Sequence, residues 1–279
     1  DMKANGQELS ISTTNIKNKD FSWNTSFIFS HTKTEITNLE SQDRAIDLIA
    51  NMGGRREGYP VRSLFSVKFQ GLDEDGLPTF LNEKGNVTSD DINFQERENL
   101  DFLQYEGPTD PTIQGSLGNI FKYKGFALNV FMTYSFGNVV RLDPVFSATY
   151  SDLSSMTKEF KNRWVQPGDE KYTDVPVILS YYQYQNNKQL RYGYNAYNYS
   201  DVRIAKGDFI RMKEISLSYD FPKAWIHPLN NLSLKLQATN LFLIYADKKL
   251  NGQDPEFFRS GGVSSPVPRQ FTLTVKVGL

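Results

Sequence analysis

The side chains able to do chemistry are few and poorly clustered. The chain has two histidines, His31 and His227, and no cysteine. The lack of thiols excludes disulfides, thiolate metal sites and cysteine nucleophiles. A histidine can ligate a metal or act as a base, but His31 reads as a strand-end residue and His227 as a turn residue. Asp73-Glu74-Asp75-Gly76 has the parts of a calcium loop without the alternate spacing and distal glutamate of an EF-hand. It reads as a hairpin turn. Asp90-Asp91 with Glu96 and Glu98 could be posed as a glycosidase acid/base pair, but sequence neighbours in a polar stretch are solvated. No Gly-x-Ser-x-Gly, His-Glu-x-x-His or phosphate-binding glycine loop occurs. The residues point away from an enzyme and call for no cofactor or metal.

Aromatic side chains are the richer resource, with 15 Tyr and 20 Phe. Tyr181, Tyr182, Tyr184, Tyr192, Tyr194, Tyr197 and Tyr199 fall in one polar stretch. Tyr suits surfaces that are part apolar and part wet. Such a cluster can stack on sugars or meet a protein partner; equally, it can pack its own segment. Arg163-Trp164 has the same two readings, structural anchor or interface hot spot.

These residues need elements to hold them, and composition narrows the choice. A net charge of −1 gives no strong field for nucleic acid. Mean hydropathy is −0.50, and no apolar run reaches the roughly 18 residues of a membrane helix. A β-barrel escapes that test, because lumen-facing positions and loops dilute its average. Asp1-Met2-Lys3-Ala4 carries no secretory signal pattern, so the sequence reads as cytosolic or as a piece of something longer.

Period-two alternation is the dominant signal. Phe271, Leu273, Val275, Val277 and Leu279 alternate with Thr272, Thr274, Lys276 and Gly278. Phe126, Leu128, Val130, Met132, Tyr134 and Phe136 make the cleanest row. Strands are expected at about 8–16, 20–34, 112–122, 126–136, 207–221, 231–242 and 269–279. A short helix is expected near 45–49 and a hairpin within 62–82, while 83–110 reads as polar loop. Long segments at 35–111, 137–206 and 243–268 alternate with short turns at 17–19, 123–125 and 222–230. With the short turns periplasmic, every long segment lies outside, the asymmetry of an outer-membrane barrel. Seven wall strands are too few, and odd in number, for a bacterial barrel. An open edge in lipid is costly, so the sheet must continue in other residues. Asn129, Thr133, Glu214, Ser216, Ser218, Lys235, Gln237 and Lys276 should face the lumen.

Several segments resemble the SusC/RagA family of TonB-linked outer-membrane transporters. They include Gly58-Tyr59-Pro60-Val61-Arg62-Ser63-Leu64-Phe65, the stretch from Lys68 to Phe80, Asn162-Arg163-Trp164-Val165-Gln166-Pro167-Gly168-Asp169 and the stretch from Gly207 to Tyr219. Ala238-Thr239-Asn240-Leu241-Phe242, Gly252-Gln253-Asp254-Pro255-Glu256 and Pro268-Arg269-Gln270-Phe271 complete the order. The resemblance implies a 22-stranded barrel with an N-terminal plug, of which residues 1–279 are a C-terminal part without the plug. It implies TonB-driven import of oligosaccharides or oligopeptides across the outer membrane of a Gram-negative bacterium. It also implies a SusD-like surface lipoprotein acting as a lid. Arg163, Trp164, Tyr181, Tyr182, Tyr184, Tyr192, Tyr194 and Tyr197 then become candidate contacts to lid or cargo. Leu279 departs from the aromatic residue common at the end of such barrels. The rival reading is a secreted, soluble, β-rich carbohydrate-binding module, which needs a second sheet over the Phe126 to Phe136 row.

Overall fold

Seven long strands form one antiparallel sheet whose spatial order follows the chain. They are β1 (Met2–Lys17), β2 (Phe21–Ile36), β3 (Ile113–Tyr123), β4 (Phe126–Phe136), β5 (Phe209–Asp220), β6 (Asn231–Ala246) and β7 (Gln270–Gly278). The structure is a computed structural model describing all residues except 51, 151–152, 154–155, 259–266 and 279. The reading of Leu279 lies outside the described residues. Because neighbours in sequence pair antiparallel, the connections alternate between the two ends of the sheet. The short ones, 18–20, 124–125 and 221–230, share one end; the long ones, 37–112, 137–208 and 247–269, leave from the other.

The pairing register carries the alternation across the sheet. Trp23 opposes Phe121, which opposes Leu128, which opposes Leu217, then Leu236, then Leu273. One face is therefore an apolar field, and nothing in its own unit covers it. Phe126 is 47% exposed, Leu236 54% and Phe271 77%. The second layer that the rival soluble sandwich requires is not found among the described residues of this unit. The fold is all-β, as the alternation predicts.

Aromatic rings mark both ends of this face. Near the short turns, Trp23 stacks on Phe121 at 5.6 Å and Phe126 meets Tyr219 at 4.4 Å. Near the long segments, Tyr134 packs on Phe136 at 5.6 Å and on Phe27 at 6.3 Å. Gly115 makes room there: a Cβ would sit 2.4 Å from the Tyr134 hydroxyl, which instead donates to the Ile28 carbonyl at 2.9 Å. Aliphatic residues fill the space between. Phe126 and Tyr134 lie about 26 Å apart along the strand, or roughly 19 Å in height at a barrel tilt of about 45°. That spacing fits inside the roughly 25 Å apolar band of an outer-membrane barrel.

Residues 34–110 and 139–205 fold into a unit of their own. Its core packs Leu48, Ile49, Phe65, Val67, Phe80, Tyr194 and Ala196, each nearly or fully buried. Helix Ala45–Ile49 forms where expected. The expected hairpin forms about the Asp73 turn, but only from Phe69 to Leu81; the stretch before it pairs elsewhere. Ser63–Val67 pairs with Leu103–Pro108, while Phe69–Leu72 pairs with Pro78–Leu81. Residues 103–108 are thus strand rather than loop. The flanks of the Asp73 turn pair with each other, whereas Ser63–Val67 finds its partner some forty residues on, which local pattern does not reveal. The turn itself is as read: the Asp73 carboxylate accepts from the backbone N–H of Asp75 and Leu77. β1 starts at Met2 rather than near residue 8, because its first half is polar and carries no alternation.

Candidate functional site

On the sheet, the residues assigned to the lumen share one face. Ser216 opposes both Asn129 and Gln237, Ser218 opposes Lys235, and Ser233 opposes Lys276. Glu214 gathers this face, accepting from Asn129 at 3.0 Å and Gln237 at 3.1 Å. Arg211 joins them through a bulge. Plain alternation places Arg211 on the apolar face, opposite to Glu214. The register slips at Lys213, so that Arg211 opposes Thr133 and Glu214 opposes Phe131, both on the polar face. The Arg211 side chain, 6% exposed, pairs with Asp254 and Glu256 of the 247–258 segment. Alternation misses this residue. The available signal is an arginine at an apolar parity, a position that lipid would not tolerate.

The second surface belongs to the body of long segments. Arg141 organises it from the inside. Its guanidinium donates to the carbonyls of Ile49, Ser200 and Phe65 at 3.0, 3.0 and 2.6 Å, and to the Ser66 hydroxyl at 3.0 Å. Burial pushes its pKa down to about 9, with Glu106 opposing that fall; the group stays charged at neutral pH. Helix Leu190–Asn198 presents Leu190, Tyr194 and Tyr197 to the core. The Tyr194 hydroxyl donates to the Val177 carbonyl at 2.5 Å. Tyr197 packs on Phe146 at 4.7 Å and on Phe69 at 5.7 Å. Burial raises the pKa of both phenols. Trp164 is 8% exposed, and its indole N–H donates to Glu170 at 3.2 Å. It lies over Gly76, whose φ is 74° and whose Cβ would come within 2.4 Å of the ring.

The remaining candidates face outward. Helix Tyr181–Asn186 starts at a capping box, Ser180 accepting from the Gln183 N–H and Gln183 accepting from the Ser180 N–H. Tyr181 and Tyr182 on it are 78% and 75% exposed. Arg163 is exposed, donating to the Phe160 carbonyl. Tyr184 is half-buried against the core. Tyr192 lies under the Arg191 guanidinium at 4.8 Å and lines a groove of about 480 Å³ with Ile92, Phe94, Gln95, Asn195 and Tyr199. No carboxylate, lysine, arginine or histidine is among its lining residues. The structure thus divides the eight candidates: Trp164, Tyr194 and Tyr197 make internal contacts, Tyr184 and Tyr192 are half-buried, and Arg163, Tyr181 and Tyr182 are exposed.

Long alternately connected strands, an uncovered apolar face and two aromatic rows define a portion of transmembrane β-barrel wall. The comparisons with known proteins narrow that class. No family model matches the chain. TonB-dependent receptor P39 of Formosa agariphila is 27% identical over 94% of this chain and 28% of the receptor. TonB-dependent receptor SusC of Bacteroides thetaiotaomicron is 28% identical over 98% of this chain and 26% of the receptor. The chain therefore spans about a quarter of the length of the curated relatives it matches. Among solved structures, the RagAB peptide transporter superposes with a TM-score of 0.70 at 22% identity, over 99% of this chain and 29% of that one. The RagAB peptide importer in its open-open state gives 0.71 at 21% identity, over 100% and 29%. The resemblance to SusC/RagA transporters holds along nearly the whole chain.

Proposed function

We propose that this chain is C-terminal barrel wall of a TonB-dependent outer-membrane importer of oligosaccharides or oligopeptides. The reading rests on one observation: an apolar sheet face left uncovered, on strands joined by short turns at one end and long segments at the other. The similarity to TonB-dependent receptors supports it. The face meets hydrocarbon, and the polar face lines the lumen. Segments 35–111, 137–206 and 243–268 stand outside the cell and form part of a cargo chamber. A SusD-like lipoprotein closes over them, with Arg163, Tyr181 and Tyr182 as contacts. The plug and the TonB-contacting segment belong to the remainder of the protein. The chain performs no chemical step; its work is to bind, enclose and release cargo.

Trypsin on intact cells tests the topology. Cuts confined to the long segments, at Lys84, Arg97, Lys171 or Arg191, are expected; cuts confined to the short turns at Lys19, Lys124 or Lys223 contradict it. Deleting the gene tests the activity. Loss of growth on one oligosaccharide or oligopeptide, with monomer use intact, is expected and names the cargo class.

A further inference from the structure

The short-turn end of the sheet carries a charge pattern that import does not require. Lys17 and Lys19 flank the β1–β2 turn, and Lys124 sits at the tip of the β3–β4 turn. The turns are adjacent, joined by the hydrogen bond from the Lys124 N–H to the Asp20 carbonyl at 3.2 Å. All three lysines are exposed. Their ammonium groups have no ion-pair partner among the described residues; Lys124 only overlies the Tyr123 ring at 5.2 Å.

Their placement is outward. Asn15 donates to Thr25, and Thr25 and the Trp23 indole donate to Asn119. These bonds put Asn15 on the face of Trp23, and alternation puts Lys17 beside it on the same side. Lys122 opposes Ser22 and Ala127, so it belongs to the polar face. Asp20, between the turns, and Asp220, at the end of β5, are the carboxylates nearby. Lys223, beyond β5, adds another cation. Lys124 also has a backbone φ of 44°, a conformation that favours Gly, Asn or Asp. Lysine is a poor residue for that turn and a good one for presenting a charge.

We propose that Lys17, Lys19 and Lys124 form a headgroup site for anionic phospholipid at the short-turn rim of the wall. The Trp23–Phe121 and Phe126–Tyr219 rings sit at the depth of the lipid glycerol and ester groups. The lysine stems run along them and carry their ammonium groups outward to the phosphates. Attraction to anionic lipid is worth roughly fivefold in affinity per lysine near the surface. This rests on the sheet meeting lipid and is independent of cargo.

The test uses the complete transporter that contains this chain, purified in a neutral detergent. Bound phosphatidylglycerol and phosphatidylethanolamine are counted by native mass spectrometry. The wild type is expected to retain phosphatidylglycerol preferentially. Combined Lys17→Gln, Lys19→Gln and Lys124→Gln should weaken that retention by about a hundredfold, while Lys122→Gln leaves it unchanged. Heat-dependent gel mobility confirms that each variant is a folded barrel. Equal retention by the triple variant and the wild type overturns the site, and so does loss with Lys122→Gln alone. In either case the barrel reading stands, because folding in detergent is scored separately.

Discussion

The wall sheet and the body of the long segments are built from the same apolar residue types and treat them in opposite ways. In the body, Phe65, Phe80 and Leu64 are fully buried. In the sheet, Leu273, Val275 and Leu217 are 61%, 57% and 43% exposed. A soluble protein gains stability by removing such groups from water. The body follows that rule. The sheet keeps it only if its solvent is hydrocarbon, where the backbone is satisfied by strand pairing and side chains need no second layer. One chain is thus adapted to two solvents, and the boundary follows the alternation of strand and long segment.

The largest break in this contrast is expected inside the body. Arg141→Met removes the donor shared by four acceptors and should cost about 3 kcal/mol, the scale for stranding buried polar groups. Hydrogen exchange should show protection lost across Ser63–Val67 while β4 and β5 amides keep theirs. Loss in all of these together would mean that the body and the sheet do not differ in what holds them. Next comes charge on the two faces of the wall. Leu236→Arg, in the middle of the apolar face, should destabilise the reconstituted barrel by about 2–4 kcal/mol, whereas Thr274→Arg on the polar face should cost under about 1 kcal/mol. Urea titration in liposomes reads both; equal costs would erase the distinction between faces.

Two smaller effects sharpen the picture of the body. Gly76→Ala combines a left-handed backbone with a methyl group inside the Trp164 ring, and should cost about 1–2 kcal/mol. Quenching or a shift of tryptophan emission would report the displaced ring, and an unchanged spectrum with unchanged stability would contradict the contact. Tyr181→Ala and Tyr182→Ala should leave stability within about 0.5 kcal/mol. If the proposed lipoprotein lid contacts them, each should weaken its binding by about 1–2 kcal/mol, roughly tenfold. Binding equal to wild type would remove them from the interface.

The sheet was legible because its instruction is local. A period of two over 126–136 or 271–277 needs no knowledge of distant residues, and the register then follows from matching apolar to apolar. One departure was not legible as a position: the bulge at Lys213 moves Arg211 to the polar face, and only the misplaced charge hints at it. The body was harder for a physical reason. Ser63–Val67 pairs with a strand some forty residues on, and the partners of Arg141 come from residues 49, 65, 66 and 200. Such contacts leave no short-range pattern. Two local signals were nonetheless present in the tyrosine-rich stretch. Ser180 and Gln183 have capping-box spacing, and Leu190, Tyr194 and Tyr197 recur at helical intervals. They separate tyrosines that build the core from those left on the surface, a division that composition alone blurs.

The central claim is that the row from Phe126 to Phe136 meets lipid. These 279 residues contain no cysteine; with any cysteine elsewhere in the complete protein replaced by serine, single cysteines at each position from 126 to 136 can carry nitroxide labels in bilayers. Even-numbered positions should be relaxed by oxygen and sheltered from a water-soluble nickel reagent, and odd-numbered positions the reverse. Uniform nickel accessibility, or no alternation between neighbours, contradicts the account.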